Sequence, residues 1–128
     1  FGGTIINQPL NKALSNHKMV NESITTTKLG LPGIPVEAEV MMLERDLKIL
    51  EYTGGKIHFS LVNTEKGIEK IKEAKAQGLN VTCDTAIHYL HLSDENLESF
   101  DSNYKVMPPL RSEKDVLALI KACRYSLV

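Results

Sequence analysis

Short apolar, β-branched runs alternating with amphipathic helices constrain this chain more than any other feature. Thr4-Ile5-Ile6, Lys56 to Val62 and Val81-Thr82-Cys83 read as strands. Before the second run, Val36, Val40, Leu43, Leu47 and Leu50 recur at helical spacing between Pro35 and Tyr52, and Gly54-Gly55 ends the pattern. Glu37 and Glu39 suit the positive end of that helix. After the second run, Thr64 caps a helix whose Ile68, Ile71 and Ala74 face inward until Gly78. Strands alternating with helices of this length predict right-handed βαβ units on a parallel sheet. The pattern does not choose between a barrel and an open doubly wound sheet. No glycine cluster leads from a strand into a helix, as the phosphate-binding turn of an open sheet would. In either fold the working residues follow the strands' C-terminal ends, in loops that begin at Asn7, Leu61 and Asp84.

The remaining segments are less periodic. Asn7 to Gly33 mixes Asn, Ser, Thr, Gly and Pro, and reads as a long loop with at most one short helix. Leu92, Ser93 and Leu97 have the spacing of a hydrophobic staple around a cap, which predicts a short helix. A proline-containing loop from Asp101 to Arg111 precedes a last amphipathic helix, opened by Ser112 and carrying Val116, Leu119, Ile120 and Cys123. With 42% hydrophobic and 24% charged residues and a net charge of -1, the 128-residue chain has the profile of a soluble globular protein. Its lysines and acids are interspersed, which gives nucleic acid or an anionic membrane no electrostatic case. Two cysteines make a disulfide framework improbable, and no run suits a bilayer span or a signal peptide, so a cytoplasmic protein is expected. The chain opens on Phe1-Gly2-Gly3 without an initiator Met and stops without a polar tail, so both ends read as cut from something longer. Three parallel strands cannot close a barrel, and their edges predict cover by the rest of the molecule or by self-association.

Residues able to carry chemistry are few. Of His17, His58, His88 and His91, no pair has the close spacing of a metal-binding helix, and each alone is more often an ordinary packed or polar residue. His88 is the best placed, just beyond a strand end, whereas His58 lies inside an apolar strand and is expected to pack. Cys83 reads as a buried thiol, and Ser60 lacks the Gly-X-Ser-X-Gly elbow of an exposed nucleophile. Asp84 ends a strand where barrels place functional groups, or caps the following turn. Pro108-Pro109 fixes the direction of Arg111, which suits either a substrate carboxylate or a helix-end salt bridge.

The runs Lys28-Leu29-Gly30-Leu31-Pro32-Gly33-Ile34-Pro35, Glu37-Ala38-Glu39, Lys56-Ile57-His58-Phe59-Ser60, Val81-Thr82-Cys83-Asp84 and Lys105-Val106-Met107-Pro108-Pro109-Leu110-Arg111-Ser112 resemble bacterial barrel-type dihydroorotases, in order and over nearly the whole chain. The resemblance implies an α/β fold. Residues 1–128 would form part of a single amidohydrolase (β/α)8 TIM-type barrel domain, about its fourth to sixth strands with flanking helices. Full barrels need roughly twice this length. It also implies reversible closure of carbamoyl aspartate to dihydroorotate in pyrimidine synthesis, with zinc lowering the pKa of a bound water.

Several positions depart from the family pattern. A metal-binding Asp corresponds to Asn11, a metal-binding His to Leu61, and the substrate-holding Asn before the two prolines to Met107. Of the Pro-His-His stretch, His88 survives as a candidate ligand, and Arg111 as a candidate substrate contact. A zinc site needs at least three protein ligands, so this segment is expected not to bind the metal by itself. The readings left open are a cyclic amide hydrolase completed by residues outside this stretch, a silent homologue that partners another pyrimidine-pathway enzyme, and a relative acting on another cyclic amide.

Overall fold

A computed structural model describes residues 2–99 and 101–125. In chain order the elements are β1 (Ile5–Asn7), α1 (Lys12–Ser15), β2 (Val20–Asn21), α2 (Ile24–Lys28), β3 (Gly33–Ile34), α3 (Glu37–Thr53), β4 (Ile57–Phe59), α4 (Glu65–Ala76) and β5 (Val81–Cys83). Three 3-10 turns follow (Ile87–Leu90, Asp94–Ser99 and Ser102–Tyr104), and α5 (Glu113–Arg124) closes the described chain.

β1, β4 and β5 form one parallel sheet in that order, as the βαβ pattern predicts. The register sets Ile5, Ile57 and Val81 in one row, Ile6, His58 and Thr82 in the next, and Asn7, Phe59 and Cys83 in the third. Side chains alternate across a strand. Accordingly Ile57, Phe59, Val81 and Cys83 are buried, while His58 is half-buried and Ile6 is 72% exposed. The second strand was expected over Lys56 to Val62 with apolar cover on both faces. It is shorter, and among the described residues only one of its faces is fully covered.

The covered face packs on helices. Leu43 and Leu50 of α3, Ile68, Ile71 and Ala74 of α4, and Leu119 and Ala122 of α5 join Phe59, Tyr89 and Leu110 in one cluster. A fully buried side chain such as Phe59 contributes about 1.5–3 kcal/mol. Gly54, at φ 71°, stops α3 in the left-handed conformation that favours glycine, its N–H donating to Leu50 O. Thr64 and Ser112 cap α4 and α5, accepting from the Gly67 and Asp115 amides. α4 meets α3 at Gly67, where a Cβ would lie 2.5 Å from Glu39 Oε2.

The stretch before α3 is more ordered than a loop with at most one short helix. Asn11 caps α1, and Ser23 with Thr26 forms a capping box on α2. Both helices are too brief to show an apolar period. β2 and β3 add a parallel pair, Val20 opposite Gly33 and Asn21 opposite Ile34. A Cβ at Gly33 would lie 2.3 Å from Glu22 Cα, so this approach requires glycine. No described helix is long and apolar enough to cross a membrane.

Candidate site at the strand ends

The C-terminal ends of β1, β4 and β5 lie side by side, each followed by a different kind of group. At β1, the Asn7 amide donates to Asp46 Oδ2 on α3. Asn11 turns back on its own helix, its Oδ1 accepting from Ala13 N at 2.9 Å and Leu14 N at 3.2 Å. At β4, Leu61 holds a left-handed backbone with φ 60°, which is uncommon for a residue with a branched side chain. Asp84, just past β5, holds that turn: its Oδ1 accepts from Leu61 N at 2.9 Å and from Ser60 Oγ at 3.3 Å. Its other oxygen, Oδ2, lies 2.6 Å from His58 Nε2. His58 Nδ1 in turn lies 2.7 Å from Thr82 Oγ1, its cross-strand neighbour. The imidazole thus bridges the Asp84 carboxylate and the Thr82 hydroxyl through its two ring nitrogens. Burial raises the Asp84 pKa, but hydrogen bonds from His58, Leu61 N and Ser60, together with the His58 charge, leave it below the ordinary carboxylate value.

His58 was expected to pack, and it is instead the centre of this constellation. Alternation offered a signal, because Ile57 and Phe59 bury the opposite face. The identity of its partners depends on a register that the sequence does not state. Asp84 is neither a free functional carboxylate nor a local cap, since it reaches back to the neighbouring strand.

His88 is half-buried in the 3-10 turn after β5, its ring 4.1 Å from that of Tyr89. Its Nε2 and the hydroxyl of Thr85 are buried without a hydrogen-bond partner among the described residues. Cys83 is buried, which pushes its thiol up to about 11, and neither cysteine is in a disulfide. Met107 lies on the surface, and its peptide bond to Pro108 is cis.

Arg111 lies at 1% exposure in the interior, and not at the strand ends. It donates to Asn21 Oδ1 at 2.8 Å, to Ile34 O at 2.9 Å and to Asn63 Oδ1 at 3.4 Å. Asn21 also donates to the buried Asp94 carboxylate at 2.8 Å. Glu39, equally buried, accepts from the Asn63 and Thr64 amides and from the Thr64 hydroxyl. Burial raises the Glu39 pKa against the nearby Arg111 charge, and burial lowers that of Arg111 against Glu39. Nε and Nη1 of Arg111 are therefore directed to the protein's own polar core, while Nη2 is buried without a hydrogen-bond partner among the described residues.

The resemblance to dihydroorotases implies zinc, and the residues present do not fit it. Among the described residues, no group of three or more His, Cys, Asp or Glu side chains is arranged to hold a metal ion. Leu61 offers no donor atom at the end of β4, and both Asp84 oxygens are engaged. The His58–Asp84–Thr82 arrangement can relay a proton along its hydrogen bonds.

No protein-family model matches the chain. The chain is 44% identical over 119 residues to a dihydroorotase of Syntrophobacter fumaroxidans, covering 93% of this chain and 27% of that protein. It is 42% identical over 124 residues to one of Ruminiclostridium cellulolyticum, covering 97% and 29%. The fold matches a D-hydantoinase from Bacillus sp. AR9 with a TM-score of 0.83 at 20% identity, over 99% of this chain and 29% of that one. It also matches the inactive dihydroorotase-like domain of the Chaetomium thermophilum CAD-like multifunctional protein, with a TM-score of 0.60 at 23% identity over 98% and 35%. The chain thus spans less than a third of the curated relatives it matches, and its strands and helices are those of part of an amidohydrolase TIM barrel. Through nearly all of its length the chain is similar to one segment of the dihydroorotases.

Proposed function

We propose that residues 1–128 form one piece, about the fourth to sixth strands, of a single cytoplasmic dihydroorotase-type barrel domain that no longer hydrolyses cyclic amides. In this reading the barrel serves as an assembly partner, for example of another pyrimidine-pathway enzyme. The end of β4 carries the proposal: Leu61 stands where a donor is needed, and the neighbouring carboxylate is spent on Leu61 N and His58. Asn11, the other position read as a lost ligand, uses its side-chain oxygen as a helix cap, and Met107, read as standing in place of a substrate-holding amide, lies exposed. A domain of the same fold, from Chaetomium thermophilum, is described as inactive.

The alternative is a working dihydroorotase-like hydrolase whose zinc is held by groups outside this segment. The 44% identity to a dihydroorotase favours it, as does His88 Nε2 beyond β5, a candidate ligand without a hydrogen-bond partner among the described residues. Turnover of dihydroorotate by the full-length protein, assayed with added zinc, separates the two. The silent barrel gives no turnover above background, and a measurable rate that falls on substitution of His88 rejects it.

A further inference from the structure

Two described residues other than glycine hold a left-handed backbone, His17 at φ 57° and Leu61 at φ 60°. His17 lies on an exposed turn, whereas Leu61 is half-buried against the helical core, where the chain leaves β4. In any residue but glycine that conformation brings Cβ close to the following carbonyl oxygen, so the surroundings must hold it. One residue touches the turn at several places. Asp84 N donates to Phe59 O at 2.9 Å, Asp84 O accepts from Val62 N at 3.0 Å, and Asp84 Oδ1 accepts from Leu61 N at 2.9 Å and Ser60 Oγ at 3.3 Å. On the other side, Ser60 N donates to Asn7 O at 2.9 Å. The amides flanking Leu61 are thus taken by backbone carbonyls, and the Leu61 amide by a side chain. That side chain is itself anchored, because Oδ2 lies 2.6 Å from His58 Nε2 and His58 Nδ1 lies 2.7 Å from Thr82 Oγ1.

We propose that Asp84 is a positioning residue for the end of β4: its carboxylate, steadied by His58, imposes the left-handed backbone at residue 61 and so sets the direction in which the side chain there leaves the strand. That direction is then a property of the residue after β5, and not of Leu61. The same turn opens the buried run Val62, Asn63 and Thr64. Asn63 Nδ2 donates to Pro109 O at 2.8 Å, and the backbone amides of Asn63 and Thr64 donate to Glu39. Asp84 therefore governs both the group shown at the strand end and the entry of the chain into the polar core. In the competing account the flanking backbone bonds hold the turn, and the carboxylate only satisfies an amide. The proposal does not depend on whether the barrel turns over a cyclic amide.

The test compares glycine with alanine at position 61 in the full-length protein, by urea unfolding followed by circular dichroism. Both substitutions remove the leucine side chain, so the difference between them reports the backbone, which glycine holds at φ 60° without strain and alanine does not. With Asp84 in place, Leu61→Gly is expected to exceed Leu61→Ala by about fivefold or more in the folding equilibrium constant. Asp84→Ala removes a group that is 45% exposed, so the protein still folds, but the turn relaxes and the preference for glycine is expected to vanish. Asp84→Asn keeps an oxygen for Leu61 N and is expected to keep the preference. The unfolded chain contributes equally in every background and drops out of the comparison. A glycine preference that survives Asp84→Ala hands the turn to the backbone bonds and overturns the proposal. So does the absence of any preference with Asp84 in place, or an Asp84→Asn variant that behaves as Asp84→Ala does.

Discussion

Replacing Arg111 with methionine removes the cation at the centre of the polar core while keeping much of its volume. The variant loses the donors to Asn21 Oδ1, Ile34 O and Asn63 Oδ1. Hydrogen bonds to a charged group contribute about 1.5–3 kcal/mol each, but these three share one cation and do not add. Glu39 then remains in the interior without the positive charge that offsets its desolvation. Removing one partner of a buried charged pair costs about 3–5 kcal/mol, a large share of the roughly 5–15 kcal/mol of a whole domain. Urea unfolding of the full-length protein, followed by circular dichroism, reads this loss as a lower midpoint at an unchanged slope. Adding Glu39→Gln should make the double variant less destabilised than the sum of the singles, because each removes what the other needed. A loss below about 1 kcal/mol for Arg111→Met, or strict additivity, would refute the reasoning and return Arg111 to the role of a substrate contact.

Gly67→Ala is expected to destabilise by about 1–3 kcal/mol despite the better helix propensity of alanine, because the new methyl meets Glu39 and Thr64; thermal unfolding checks it, and a stabilised variant contradicts the close approach of α4 to α3. Asp84 has a folded pKa below its ordinary value, so its contribution is present above the unfolded carboxylate pKa and is lost as pH falls through the lowered folded value. Asp84→Asn should therefore be less stable than wild type at neutral pH, with the gap closing in acid. Because that carboxylate is 45% exposed, the difference is at most about 1 kcal/mol. Cys83, with its thiol near 11 and its side chain buried, should resist alkylation at pH 8 until the protein unfolds, as mass spectrometry of the labelled peptide reports.

The long elements were legible because their signals are local. The apolar period from Val36 to Leu50 and the Gly54 stop describe α3 to within a residue or two, and Thr64 and Ser112 mark α4 and α5 through their own caps. Val81-Thr82-Cys83 is β5 as read. The order between Asn7 and Gly33 was missed, since two caps and a glycine contact across β2 and β3 leave no period to read. The site was legible only as strand ends. Leu61 and Asp84 were marked as starting loops, but their link through one carboxylate, and its reach to His58, arise from the β4–β5 register. Arg111 shows the same limit, because its partners come from positions 21, 34 and 63, which only the tertiary fold brings together.

The metal stoichiometry of the full-length protein, purified without chelator and measured by elemental analysis beside variants Asp84→Ala and His88→Ala, tests the silent barrel most directly. A barrel with Leu61 at the end of β4 and Asp84 closed on His58 predicts far less than one zinc per chain, unchanged in both variants. Zinc near or above one per chain that is lost on replacing Asp84 or His88 would contradict it.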